Sequence, residues 1–103
     1  MRFEFDPVKS AKNERERGLP FAAAARLFDS VRIEWEDRRK DYGETRFNTL
    51  GEIEGRTFCA SFTRRGEAIR IISFRKANAR ETRRYREYLR ERGTESRDRL
   101  GEG

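Results

Sequence analysis

The side chains able to do chemistry in this sequence are mostly cations, and three of them lie on or just after one apolar run. Ile69-Arg70-Ile71-Ile72-Ser73-Phe74 is dense in β-branched and aromatic residues, the composition of a buried strand. Arg75 and Lys76 end the run, and Asn78 follows as a cap for the next helix. No histidine occurs anywhere, which removes the commonest general base and most zinc sites. Cys59 lies inside an alternating strand pattern and reads as a core thiol, not a nucleophile. No metal or cofactor is therefore expected. One reaction suits what remains: RNA cleavage by internal attack of the ribose 2′-OH. It needs a proton acceptor, cations to stabilise the charged phosphorane, and an acid for the leaving 5′-oxygen. Arg70, Arg75 and Lys76 are the candidate cations, with Arg46 and Arg64 on neighbouring strands and Arg80 and Arg83 on the following helix as further RNA contacts. A regular strand would turn Arg75 to the face of Ile69 and Ile71, and Arg70 to that of Ile72 and Phe74.

Bulk composition agrees with a polyanion partner. Basic residues number 25 against 19 acidic, for a net charge of +6 and a pI near 10.1. Arginine dominates, and its planar fork suits phosphate and carboxylate. Only 34% of the chain is hydrophobic, but eight Phe, three Tyr and one Trp supply enough buried area for a modest core. At 103 residues the chain is one domain. A single cysteine permits no internal disulfide, and no stretch has the length of a membrane span or the pattern of a signal peptide. Those features lead us to expect a cytoplasmic protein without membrane contact.

The elements that must position the cations follow from periodicity. Phe3-Glu4-Phe5 is a short first strand. Asp6-Pro7 opens a helix that Gly18 ends, and Pro20 opens a second through Phe28, with Phe21, Ala24, Ala25, Leu27 and Phe28 at helical spacing. The period then changes to two: Val31, Ile33 and Trp35 alternate with Arg32, Glu34 and Glu36. A charged loop from Asp37 to Tyr42 leads to strands over about 45–53 and 56–63 and to the strand that begins at Ala68 and carries the run from Ile69 to Phe74, joined by turns at Glu54-Gly55 and Arg65-Gly66-Glu67. A last helix spans about 78–92. The expected fold class is α+β: a short N-terminal strand, two helices, a four-stranded antiparallel meander and a C-terminal helix. Residues 1–92 form the domain and 93–103 a disordered tail.

Taken together, the residues resemble the BrnT toxins of bacterial type II toxin–antitoxin modules. The resemblance rests on Phe5-Asp6-Pro7-x-Lys9, Asn13, Gly18, Phe21-x-x-Ala24, Leu27-Phe28-Asp29, Asp41-Tyr42-Gly43-Glu44-x-Arg46, Gly51, Gly55, Thr63-x-Arg65 and Arg70-Ile71-Ile72-Ser73-x-Arg75-Lys76-Ala77 with Glu81 and Tyr85. It implies a RelE-like fold, ribonuclease activity that blocks translation, and catalytic roles for Arg70, Arg75, Lys76, Glu81 and Tyr85. It also implies a BrnA-like antitoxin with a ribbon-helix-helix region, through which alone the pair would bind operator DNA. Read without the resemblance, Glu81 is a helix-surface charge and Tyr85 a core aromatic with its hydroxyl at the rim. Relatives usually carry Lys-His-Gly where this chain has Glu16-Arg17-Gly18, and Arg17 stays protonated, so it cannot serve as a base. The chain also has Pro20 before Phe21 where Ser is usual, and Phe74 after Ser73 where a small residue is usual. A non-catalytic subunit that holds an antitoxin and modulates DNA binding is the alternative reading.

Overall fold

In the computed structural model, which describes the backbone of residues 1–102 and the side chains of residues 1–93, β1 (Arg2–Phe5) leads directly into α1 (Pro7–Arg17). The Asp6 carboxylate caps α1, accepting from the Val8 N–H at 2.9 Å and the Lys9 N–H at 3.4 Å. Pro7 takes the first helical position, where a missing N–H costs nothing. Gly18 ends the helix at φ +72°, a left-handed conformation that a side chain would strain, and its N–H donates to Glu14 O at 2.8 Å.

The second expected helix is a 3₁₀ helix over Phe21–Asp29. Its buried residues are Phe21, Ala24 and Leu27, every third position, which is the period of a 3₁₀ turn. Over so short a length the same stripe also fits 3.6 residues per turn, so the pattern predicts the buried face without the helix type. The 3₁₀ helix lies close on the sheet. A Cβ built on Gly51 would stand 3.0 Å from Leu27 Cδ2 and 3.1 Å from Ser30 Oγ, so a glycine is what lets the two backbones approach.

Five strands form one mixed sheet in the order β1-β5-β4-β3-β2, with β2 (Ile33–Asp37), β3 (Arg46–Ile53), β4 (Arg56–Arg65) and β5 (Ala68–Lys76). Strands β2 to β5 pair antiparallel with their neighbours. β1 lies parallel to β5, with Glu4 opposite Arg70. The sheet is therefore mixed, not purely antiparallel; alternation identified β1 as a strand but carried no information about its partner.

The register of β5 departs from regular alternation. Ser61 pairs with Ser73 and Phe62 with Ile71, so Ile72 is an extra, unpaired residue. This bulge turns Ile69, Ile71 and Phe74 to one face, where they pack with Phe58, Ala60, Phe62, Phe21, Ala24 and Leu27. Phe28 joins them edge-on to Phe62 at 5.1 Å between ring centroids. The second face carries a smaller core of Leu50, Cys59 and Tyr85, with Ile33, Trp35, Ala77 and Leu89 around it. Tyr85 and Leu89 come from α2 (Ala79–Glu102), which covers this part of the second face. The expected helix over 78–92 is the first part of α2. The tail expected over 93–103 lies, beyond Gly93, outside the fully described residues. No described helix is long and apolar enough to cross a membrane.

Candidate active site

The bulge at Ile72 decides which cations meet. Arg70 is paired across to Thr63, Ser73 to Ser61 and Arg75 to Cys59, so all six share the second face. A regular strand would have put Arg70 and Arg75 on opposite faces; the extra residue corrects that expectation. Beyond the part covered by α2, this face is polar and concave. A cavity of about 540 Å³ is lined by Trp35, Asp37, Arg39, Asn48, Ser61 and Arg75, among others.

Arg75 and Glu81 form the charged pair of this cleft. Arg75 Nη1 donates to Glu81 Oε1 at 2.8 Å and Nη2 to Oε2 at 2.9 Å, the bidentate fork geometry. Glu81 is itself positioned by a reciprocal cap: the Asn78 N–H donates to Glu81 Oε1 at 2.9 Å and the Glu81 N–H to Asn78 Oδ1 at 2.8 Å. The Arg75 guanidinium holds the Glu81 carboxyl below its ordinary value against the opposing effect of burial. Glu81 in turn raises Arg75. Both are ionised at neutral pH.

A second charged group closes the other side. Asp37 is buried at the end of β2 and accepts from Arg39 Nε at 2.9 Å, Arg39 Nη2 at 2.8 Å and the Tyr42 hydroxyl at 3.0 Å. The Arg39 hydrogen bonds hold its carboxyl far below the usual carboxylate range, although burial opposes them. The sequence reading placed Asp37 in a charged loop. The signal that could have found it is the period-two pattern itself, since Ile33, Trp35 and Asp37 continue one face. Between the two charged groups, Ser61 Oγ donates to Asn48 Oδ1 at 2.6 Å. Neither residue was singled out, because register across β3 and β4 is what brings them together. Burial pushes the Cys59 thiol up to about 11, so it is neutral at physiological pH and no nucleophile.

The remaining predicted residues separate. Lys76 pairs with Phe58 and so falls on the face opposite Arg75. Arg70 shares the face of Arg75 but stands outside the cavity, 3.9 Å from Glu4. Its partner is thus Glu4 of the parallel strand. Tyr85 is buried, and its hydroxyl donates to Val31 O at 2.6 Å, which commits it to the core and not to the cleft. Arg64 lies on the opposite face, over Phe47 and Phe62, and donates to Glu34 at 3.1 Å. Arg46 stacks on Tyr42 at 4.1 Å and pairs with Glu44 at 3.2 Å. Arg80 and Arg83 are exposed on α2, Arg83 in a separate groove.

Chemically, the cleft offers a guanidinium that can exchange a carboxylate for a phosphate, a second guanidinium on the rim, and hydroxyl and amide groups between them. Such a set is chemically able to bind a phosphodiester and to stabilise added charge on it. Comparison with curated proteins finds no match. The profile of the ribonuclease toxin BrnT of type II toxin–antitoxin systems matches residues 5–81, from the end of β1 to the carboxylate paired with Arg75, and the chain therefore belongs to that family.

Proposed function

We propose that this toxin cleaves RNA at the cleft between β2, β5 and the start of α2, by attack of a ribose 2′-OH on the adjacent phosphate. The 2′-oxygen bonds to phosphorus, its proton passes to Glu81, the P–O5′ bond breaks, and the 5′-oxygen takes a proton from solvent. The products are a 2′,3′-cyclic phosphate and a 5′-hydroxyl. Arg75 carries most of the rate, because charge develops on the phosphorane oxygens and a guanidinium held in place needs no reorganisation to meet it. The lowered Glu81 carboxyl is a weak base. Its larger role is to orient Arg75. The reading needs no metal.

The observation that carries this proposal is that Ser73, Arg75 and Glu81 line one cavity. In the cell the toxin would act in the cytoplasm, on a RelE-like scaffold, and slow translation by destroying message. A BrnA-like antitoxin with a ribbon-helix-helix region would neutralise it, and operator DNA would be contacted only through that partner. Expression without an antitoxin tests the reading. Wild type is expected to arrest growth, and Arg75→Ala to permit it at equal protein level.

A second reading has one observation in its favour: both oxygens of Glu81 are already on Arg75. A chain that only holds an antitoxin would keep that pair closed. It would neither arrest growth nor degrade RNA, so the same experiment separates the two.

A further inference from the structure

A second cavity, of about 590 Å³, lies between the β3–β4 turn, the end of β5 and the first turns of α2. Its lining includes four cations, Arg56, Lys76, Arg83 and Arg86, and no carboxylate. All four are exposed. Among the described residues none of them forms an ion pair, whereas Arg2, Arg26, Arg32, Arg38, Arg39, Arg46, Arg64, Arg65, Arg70 and Arg75 each do. Here, then, four cations with no ion-pair partner among the described residues line one concavity. Four like charges around one concavity repel one another, which is a cost that binding of a polyanion relieves.

The position of this groove relative to the cleft identifies the ligand. Arg75 and Lys76 are consecutive but line different cavities, Arg75 the cleft and Lys76 the groove. Glu81 and Thr82 divide in the same way. The end of β5 and the first turn of α2 are thus a shared wall, and a chain leaving the cleft over that wall enters the groove. Lys76 also lines a smaller cavity with Glu16, Arg17 and Leu19 at the end of α1. The rest of the groove is Gly55, Thr57, Ala77, Ala79 and Thr82, with no aromatic or large aliphatic side chain to anchor a protein segment.

We propose that this groove binds the phosphates of single-stranded RNA on one side of the scissile bond, with Arg56, Lys76, Arg83 and Arg86 as positioning residues that act on affinity and not on the chemical step. The proposal rests on the cleft being the cleavage site, and it makes Lys76 a substrate-holding residue in place of a catalytic one.

The experiment compares wild type with Arg56→Ala/Arg86→Ala, two exposed positions whose truncation leaves the core untouched, with circular dichroism and Tm to confirm folding. Binding of a fluorescent single-stranded RNA fully 2′-O-methylated, and so not cleavable, is followed by anisotropy across a salt series. Each lost phosphate contact lowers the slope of log K against log salt by about 0.7, so the double variant should lose roughly 1.4. On cleavable RNA, KM should rise at least about tenfold with kcat kept, the pattern of lost uniform binding. An unchanged slope and KM overturns the proposal. So does a double variant that binds RNA normally but no longer captures its antitoxin, since the groove would then be a protein-docking surface. If wild type binds the methylated strand through this groove yet cleaves nothing, the groove stands and the catalytic reading falls.

Discussion

Arg75 combines two properties that pull against each other. Its fork is closed on Glu81, which fixes its orientation, and that same closure must open on one side for a phosphate oxygen to enter. The side chain is 38% exposed, which leaves it reachable from the mouth of the cleft. Removing one donor aimed at a developing oxyanion costs about 10²–10³ in rate, and Arg75→Ala should lower kcat by that amount in a single-turnover assay. Arg75→Lys should recover only a small part, because an ammonium cannot hold two oxygens in one plane. Tyr85 behaves differently. Tyr85→Phe removes a hydroxyl donated to Val31 O and should cost about 1 kcal/mol in denaturant unfolding, with kcat of the folded protein unchanged. The core reading of Cys59 was legible from residue types. The commitment of Tyr85 to Val31 was not, since it joins residues far apart in sequence.

Strand β5 shows how an element positions a site. Its apolar residues, Asp6-Pro7 before α1, and the Phe21, Ala24, Leu27 stripe could all be read in advance, because each is a local pattern. What could not be read is the bulge at Ile72, and with it the face that Arg70 and Arg75 share. Alternation assumes one residue per pleat, and a single extra residue inverts every assignment beyond it. The parallel partnership of β1 and β5 was hidden for a related reason: it depends on α1 and the 3₁₀ helix returning the chain across the sheet. The 3₁₀ helix also sets a steric limit that can be tested. Leu27 is fully buried and has little room to yield, so Gly51→Ala should destabilise the fold by about 1–3 kcal/mol through overpacking. Denaturant titration with an unchanged m-value would register this as a change in stability alone.

Across the whole molecule, charge is both the scaffold and the means of recognition. Glu34, Asp37 and Glu81 all have carboxyl groups below their ordinary values. For Glu34, burial acts in the opposite direction and hydrogen bonds from Arg32 and Arg64 outweigh it. A group whose folded pKa is depressed contributes stability above its unfolded pKa, and that contribution disappears as pH falls through the folded value. Thermal stability should therefore decline as the pH drops below about 4, the ordinary carboxylate range. Asp37→Asn should be less stable than wild type at neutral pH and show a flatter acid limb in a pH series of Tm. The cations of the cleft are each matched by a carboxylate, whereas Arg56, Lys76, Arg83 and Arg86 line a groove without one.

Assistance by Arg75 to a 2′-OH attack on RNA is open to a direct test. Purified protein incubated with a short RNA, and with the same strand carrying a 2′-deoxynucleotide at the cleaved position, tests it when the 5′ fragments are weighed by mass spectrometry. The expected result is a 2′,3′-cyclic phosphate end, no cut at the deoxy position, and cleavage about 100-fold slower or worse with Arg75→Ala. Equal cleavage of the deoxy strand, a 5′ fragment ending in a free 3′-hydroxyl, or an Arg75→Ala protein as fast as wild type would contradict it.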